Sequence, residues 1–452
     1  MMKLSVLALV AAPVFVAAAQ QPLPTRPLGP VVATSKAEFG PMLTVRHLAN
    51  GGVLVNDVQN RRVVMLDSTL ARMTVVADST PATANAYSGR SAGLVAWRGD
   101  SSLFVDPQSL TMLVIDPAGN VGRTMALPRS QDAMMLGNAM LGGTAFDGRG
   151  IVYRTMNFQG MMRAARPGGG GPGAAPVMPQ MPDSTPIIRV DIATRAVDTL
   201  GQIRIPSIKL DVQRDENGRV TVSTIANPLP TVDDWAVLSD GSIALVRGRD
   251  YHVDFIRPDG TRESGAKVPF EWRRLSDEDK VAFMDSVKAQ RERLLAQMEA
   301  QDSTHGAAER GAGQRVMRGG GDGPARGGPP GDQVRITFGP GGGGGGGGGG
   351  NPMMMGGRNM QFIPADELPD YQPVFFAGAV RADNDGNLWV RTIPTKALPG
   401  GPVYDVINGK GELVDRIQIP ADRAIIGFGA GGTVYLATQM GTTRTIERAS
   451  RR

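Results

Sequence analysis

The chain has no cysteine. That excludes disulfides, thiolate metal sites, a cysteine nucleophile and the lipid-bearing cysteine of a lipoprotein. Stability therefore has to come from burial and backbone hydrogen bonding. Charge of one sign is also in short supply: 48 Lys and Arg stand against 43 Asp and Glu, a formal net charge of +5. The arginines are scattered rather than clustered on one face, so a nucleic-acid footprint is not expected. Long apolar runs are missing except at the start. There, Met1-Met2-Lys3 leads into the apolar and small stretch Leu4 to Ala19. A bilayer span takes about 20 apolar residues, and Pro13 interrupts this shorter run. With small residues at Ala17 and Ala19, residues 1–19 read as a signal peptide cut before Gln20. The expected product is a periplasmic or secreted protein that does not insert into a membrane and works as a monomer.

What is present is a repeat. A turn rich in Gly, Asp or Asn precedes a short apolar strand, and a second apolar strand follows, often ending in Asp: a hairpin signature. It occurs at Val53-Leu54-Val55 with Val63-Val64-Met65-Leu66 and at Leu103-Phe104-Val105 with Met112-Leu113-Val114-Ile115. Further copies are Ile151-Val152-Tyr153 with Ile187-Ile188, Ile243 to Val246 with Val253 to Ile256, Leu388-Trp389-Val390 with Val403 to Ile407, and Thr433 to Leu436 with Arg444 to Glu447. Six copies of four-stranded character predict an all-β fold, a six-bladed β-propeller of four-stranded antiparallel blades over residues 20–452. The last copy is one strand short, and Pro30 to Thr34 is expected to supply the missing outer strand and close the ring. An additional hairpin around Asn217-Gly218 is assigned to an extended outer edge between the third and fourth blades.

Two stretches break the repeat. Residues 160–186 and 306–358 are Gly-rich, with ten consecutive glycines from Gly341 to Gly350. Both are read as disordered insertions, since neither composition offsets its ordering entropy by burial. Between them, residues 275–300 read as one amphipathic helix. Ser276 and Asp279 form a capping-box-like start, and Val281, Met284, Val287, Leu294, Leu295 and Met298 form the stripe. The helix is expected to pack on the outer rim or at one mouth.

These turn-strand repeats resemble those of secreted six-bladed propellers of the NHL-repeat group. The resemblance implies architecture more than chemistry, because such propellers include lactonase-like hydrolases, amidating lyases and binding modules. The lyases of that group hold zinc with several histidines, whereas this chain has only His47, His252 and His305.

Aligning the copies places Asn56, Asp106, Arg154, Arg247, Arg391 and Ala437 directly after the apolar strand. Arg154, Arg247 and Arg391 are thereby expected to converge on one mouth, a geometry suited to an anionic group. Pairing of each Arg with a blade carboxylate is the alternative. The fourth copy adds Asp233, Asp234 and Trp235 before its first strand, Arg249, Tyr251 and His252 in its turn, and Tyr371 in the matching loop of the fifth. The expected ligand is an anionic small molecule or a peptide, with no nucleic-acid partner. A second class is a hydrolase or lyase in which Asp233 or Asp234 orients His252 as general base. Calcium is a candidate cofactor through Asp57, Asp106, Asp233 and Asp234. Asp383-Asn384-Asp385-Gly386-Asn387 is read as a turn instead, because it lacks the terminal Glu of an EF-hand loop. The Gly-rich tracts lack the Lys-Ser/Thr of a phosphate loop, and no nucleophile elbow occurs.

Overall fold

The computed structural model describes residues 23–79, 87, 93–137, 143–155, 182–214, 220–312, 360–396, 399–438 and 443–451. The expected signal peptide and most of both Gly-rich stretches lie outside these residues.

Each predicted hairpin forms the second and third strands of a four-stranded antiparallel sheet. Blade 1 comprises Leu43–His47, Val53–Asp57, Arg62–Leu66 and Met73–Ala77. Blade 2 comprises Gly93–Ala96, Ser102–Asp106, Thr111–Ile115 and Val121–Ala126. Blade 3 comprises Thr144–Phe146, Ile151–Arg154, Ser184–Val190 and Val197–Arg204. Blade 4 comprises Asp234–Val237, Ile243–Arg247, His252–Ile256 and Arg262–Ser264. Blade 5 comprises Val380–Ala382, Leu388–Thr392, Val403–Ile407 and Leu413–Gln418. Blade 6 has three strands late in the chain, Arg423–Phe428, Thr433–Thr438 and Ile446–Ser450. Its fourth and outermost is Val31–Thr34, antiparallel to Ile446–Ser450. Arg26–Pro27 adds a short parallel strand to the edge of blade 5, and Asp415 there receives hydrogen bonds from Arg26 and Arg451.

Strand periodicity builds the core. In the second strand of blade 1, Val53 and Val55 pack with Tyr435, Ala437 and Ile446 of blade 6. Leu54, between them, packs with Phe104, Leu113 and Ile115 of blade 2. The same alternation gives buried clusters between blades 2 and 3, 3 and 4, 4 and 5, and 5 and 6. A sheet buried on both faces by like sheets, six interfaces in succession with the last returning to the first, is a closed six-bladed ring.

The extra hairpin, Ile208–Arg214 with Val220–Ala226, is a correction to the sequence reading. It extends no blade: it forms a separate sheet with Met360–Phe362, which runs parallel to Val220–Ala226. The helix spans Asp277–Ala312, longer than the sequence pattern suggested. Its start is a capping box, with Asp279 N donating to Ser276 Oγ and Ser276 N to Asp279 Oδ2, both at 3.1 Å. Met284 packs with Leu229, Leu275, Ile363 and Leu368, so the helix seats on the inserted segments rather than on a blade rim. Val281 faces solvent, and Lys280 is buried in its stead, its Nζ donating to Asp370 at 2.8 Å. The predicted stripe holds at Met284 and Val287, both buried, and fails at Val281. Among the described residues no helix is long and apolar enough to cross a membrane.

Candidate functional site

In every blade the first strand begins, and the second ends, at one end of the channel. That end is called the crossover mouth, because the chain passes there from blade to blade. The opposite end, the turn mouth, holds the turns joining first to second strands.

The predicted site residues lie at the crossover mouth, but they do not face one another. The first turns of blades 3, 4 and 5 close through Asp147 N to Gly150 O, Leu238 N to Ser242 O and Asp383 N to Asn387 O. Counted from those closing residues, Arg154 and Arg391 are fourth and Arg247 is fifth. A one-residue offset in a strand turns a side chain to the other face. Arg247 accordingly reaches back to blade 3, where its Nη1 donates to Gln202 O at 2.8 Å. Its guanidinium also binds Asp233 Oδ2 at 2.9 Å and Asp254 Oδ2 at 2.7 Å. Arg391, two residues from Trp389, shares the face that packs on blade 6.

Arg154 points forward to blade 4 and sits beside Asp234, which is fully enclosed. Burial raises the Asp234 carboxyl to about 6, against the favourable field of Arg154 and hydrogen bonds from Val380 N and Trp235 N. Burial also lowers the Arg154 guanidinium. Convergence of the three arginines on one anion is therefore not what the register builds.

The rest of the predicted cluster is likewise committed to structure. His252 Nδ1 meets Asp250 Oδ1 at 2.9 Å and Nε2 meets Asp254 Oδ1 at 3.2 Å. Neither Asp233 nor Asp234 orients the ring, and both nitrogens are occupied. Tyr251 is wholly buried, and its hydroxyl donates to Asp405 Oδ2 at 3.0 Å. Trp235 is core between blades 3 and 4. Arg249 and Tyr371 are exposed, Tyr371 lying opposite Arg274 in an isolated bridge.

The four carboxylates proposed for calcium are not gathered either. Asp57 binds Gly40 N, Asn60 and Arg62. Asp106 binds Gln108 N and Ser109. Asp233 serves Arg204 N, Gly248 N and Arg247. Among the described residues no three His, Asp or Glu side chains are grouped as metal ligands would be. Asp383 behaves as a turn residue, accepting from Asp385 N, Asn387 N and Trp389 Nε1.

The turn mouth holds what the sequence reading missed. A cavity of about 370 Å³ is lined there by Arg46 and His47 of blade 1, Asp100 of blade 2, Arg381 and Asn384 of blade 5, and Phe428 of blade 6. Arg46 spans to blade 2, donating from Nη1 to Asp100 O at 2.9 Å and to Ser102 Oγ at 2.8 Å, and from Nη2 to Asp100 Oδ1 at 3.2 Å. Arg381 donates from Nη1 to Ile425 O at 2.9 Å, and no carboxylate pairs with it among the described residues. His47 Nδ1 lies 2.9 Å from Tyr435 Oη. Burial pulls the imidazole below its ordinary range, Asp100 opposing and Arg448 and Arg46 assisting. At pH 7 it is therefore neutral. A neutral imidazole, an amide, one ion-paired guanidinium and one without a carboxylate partner suit a small polar anion.

No protein-family model matches the chain, and no curated protein matches it. Solved structures similar to it include a gluconolactonase from Xanthomonas campestris, 11% identical, covering 94% of this chain and 99% of that one at a TM-score of 0.37. A virginiamycin B lyase from Staphylococcus aureus is 10% identical, covering 91% and 98% at 0.34. Regucalcin, a calcium-binding protein from Agrobacterium tumefaciens, is 12% identical, covering 95% and 97% at 0.35. The chain is similar in structure to six-bladed propellers. At these scores the likeness adds nothing to the architecture read from strand pairing, and it carries no chemistry.

Proposed function

We propose that this chain is an extracytoplasmic binding propeller that takes a small anion at its turn mouth. Supporting the compartment is the leader-like stretch of residues 1–19. The observation that carries the binding reading is Arg381: a guanidinium on a channel-lining strand, opening on a cavity of about 370 Å³, with no carboxylate partner among the described residues. Arginine so placed presents a rigid fork of donors matched to carboxylate, phosphate or sulfate oxygens. His47 and Asn384 add neutral hydrogen-bonding groups beside it. The cavity suits a small molecule better than a peptide. A hydrolase or lyase centred on His252 draws no support from the geometry, since carboxylates hold both ring nitrogens.

The test is anion binding by isothermal calorimetry to the mature chain, with Arg381→Gln as the variant. Loss of one charge-assisted contact is expected to weaken binding by roughly tenfold or more. Undiminished binding in Arg381→Gln, or loss of binding in Arg391→Gln at the other mouth, would overturn the reading.

A further inference from the structure

We infer that Asp100 is the charge selector of this cavity: it cancels Arg46 and so restricts the site to singly charged anions. The inference rests on the anion site proposed above. Among the lining residues, Arg46 and Arg381 are cationic, Asp100 is anionic, and His47 and Asn384 are neutral at pH 7. The lining thus carries a single net positive charge, and Arg381 supplies it. A monoanion matches that charge. A dianion meets the same guanidinium but gains less than its second charge requires, because Asp100 repels it.

Asp100 is held for this position by an unusual backbone. Gly99 and Asp100 both have left-handed φ, 60° and 62°, a conformation that costs a non-glycine residue about 1 kcal/mol. The turn delivers the Asp100 carboxylate across the boundary between blades 1 and 2, where Oδ2 also accepts from Ala49 N at 2.7 Å. Fastening the blades does not by itself call for a carboxylate here. Arg46 already donates to two neutral acceptors of blade 2, Asp100 O and Ser102 Oγ. Asn50 Nδ2 binds Pro117 O at 3.0 Å across the same boundary. Beyond a second acceptor oxygen, which Arg46 does not need with those two in place, what the carboxylate adds and an amide would not is the negative charge on the cavity wall.

Asp100→Asn keeps one side-chain oxygen, which can still accept from Ala49 N, while Arg46 retains Asp100 O and Ser102 Oγ, and asparagine tolerates left-handed φ well. Asp100→Gly fits the same backbone and serves as a second variant should the first be unstable. The probes are methanesulfonate and sulfate, matched in shape and differing by one charge, titrated calorimetrically at pH 7.5 and fixed ionic strength. Removing one negative charge several Å from the ligand acts twice as strongly on sulfate. The sulfate-over-methanesulfonate affinity ratio should therefore rise roughly tenfold in either variant. An unchanged ratio, with both anions still weakened by Arg381→Gln, overturns the selector and leaves the binding site standing. Anion affinities indifferent to Arg381→Gln overturn the binding site and the selector together.

Discussion

Tyr251 of blade 4 donates its hydroxyl hydrogen to Asp405 Oδ2 of blade 5 across 3.0 Å, with both side chains shut away from solvent. Arg416 Nε approaches the other carboxylate oxygen at 2.8 Å, and burial holds Asp405 above the usual carboxylate range. Polar links of this kind recur at blade interfaces: His47 with Tyr435 between blades 1 and 6, and Arg257 Nη2 with Gly409 O between blades 4 and 5. Tyr251→Phe leaves one Asp405 oxygen short of a donor. A loss of about 1–3 kcal/mol is expected in urea denaturation, with no change in anion affinity at the distant turn mouth.

Closure by residues 31–34 has a separate consequence. A chain beginning at Ser35 lacks the outermost strand of blade 6 and exposes the edge of Ile446–Ser450. Its melting temperature should fall, and light scattering should report concentration-dependent association that the longer chain does not show. Equal melting temperatures would show that the edge strand contributes little.

Asp234 makes stability depend on pH in a direction opposite to the usual carboxylate. Its folded-state value of about 6 exceeds the ordinary 3.8. The folded state therefore binds more protons than the unfolded state between those values, and stability falls as pH rises through the window. At about 1.4 kcal/mol per unit the effect is on the order of 3 kcal/mol. Urea midpoints at pH 4 and pH 7 should differ less in Asp234→Asn than in the parent chain. An identical pH profile in the two proteins would refute the assignment.

His252 offers a control for the site assignment. Its two carboxylate contacts are partly exposed, and such pairs contribute about 1 kcal/mol or less. His252→Gln should leave anion binding at the turn mouth intact and shift the urea midpoint only slightly. Lost binding would move the site to the crossover mouth.

The fold was legible because blade hairpins are local. Turn residues, a period of two and short apolar runs such as Ile243 to Val246 mark each one without reference to distant chain. The closing strand was legible from arithmetic, three strands in the last repeat and one spare segment before the first. The helix start was legible through Ser276 and Asp279. Its buried face was legible at Met284 and Val287 but not at its first position: whether Lys280 or Val281 turns inward depends on Asp370, ninety residues away. The site was misplaced for a related reason. Alignment on apolar runs treated Arg154, Arg247 and Arg391 as equivalent, yet the blade 4 run is one residue longer after its turn, which sends Arg247 back to Asp233 and Asp254.

By itself, then, the sequence determined the repeat, the number of blades and the segment that closes the ring, since each follows from residues within a few tens of positions or from simple count. Only the tertiary structure decided which side chains share a space. Arg46, Asp100 and Arg381 are separated by up to 335 positions and have no common motif. They meet because the first strands of different blades, and the turns that follow them, surround one channel. Strand pairing sets the height and facing of each side chain there, and a single residue of register is enough to reverse it.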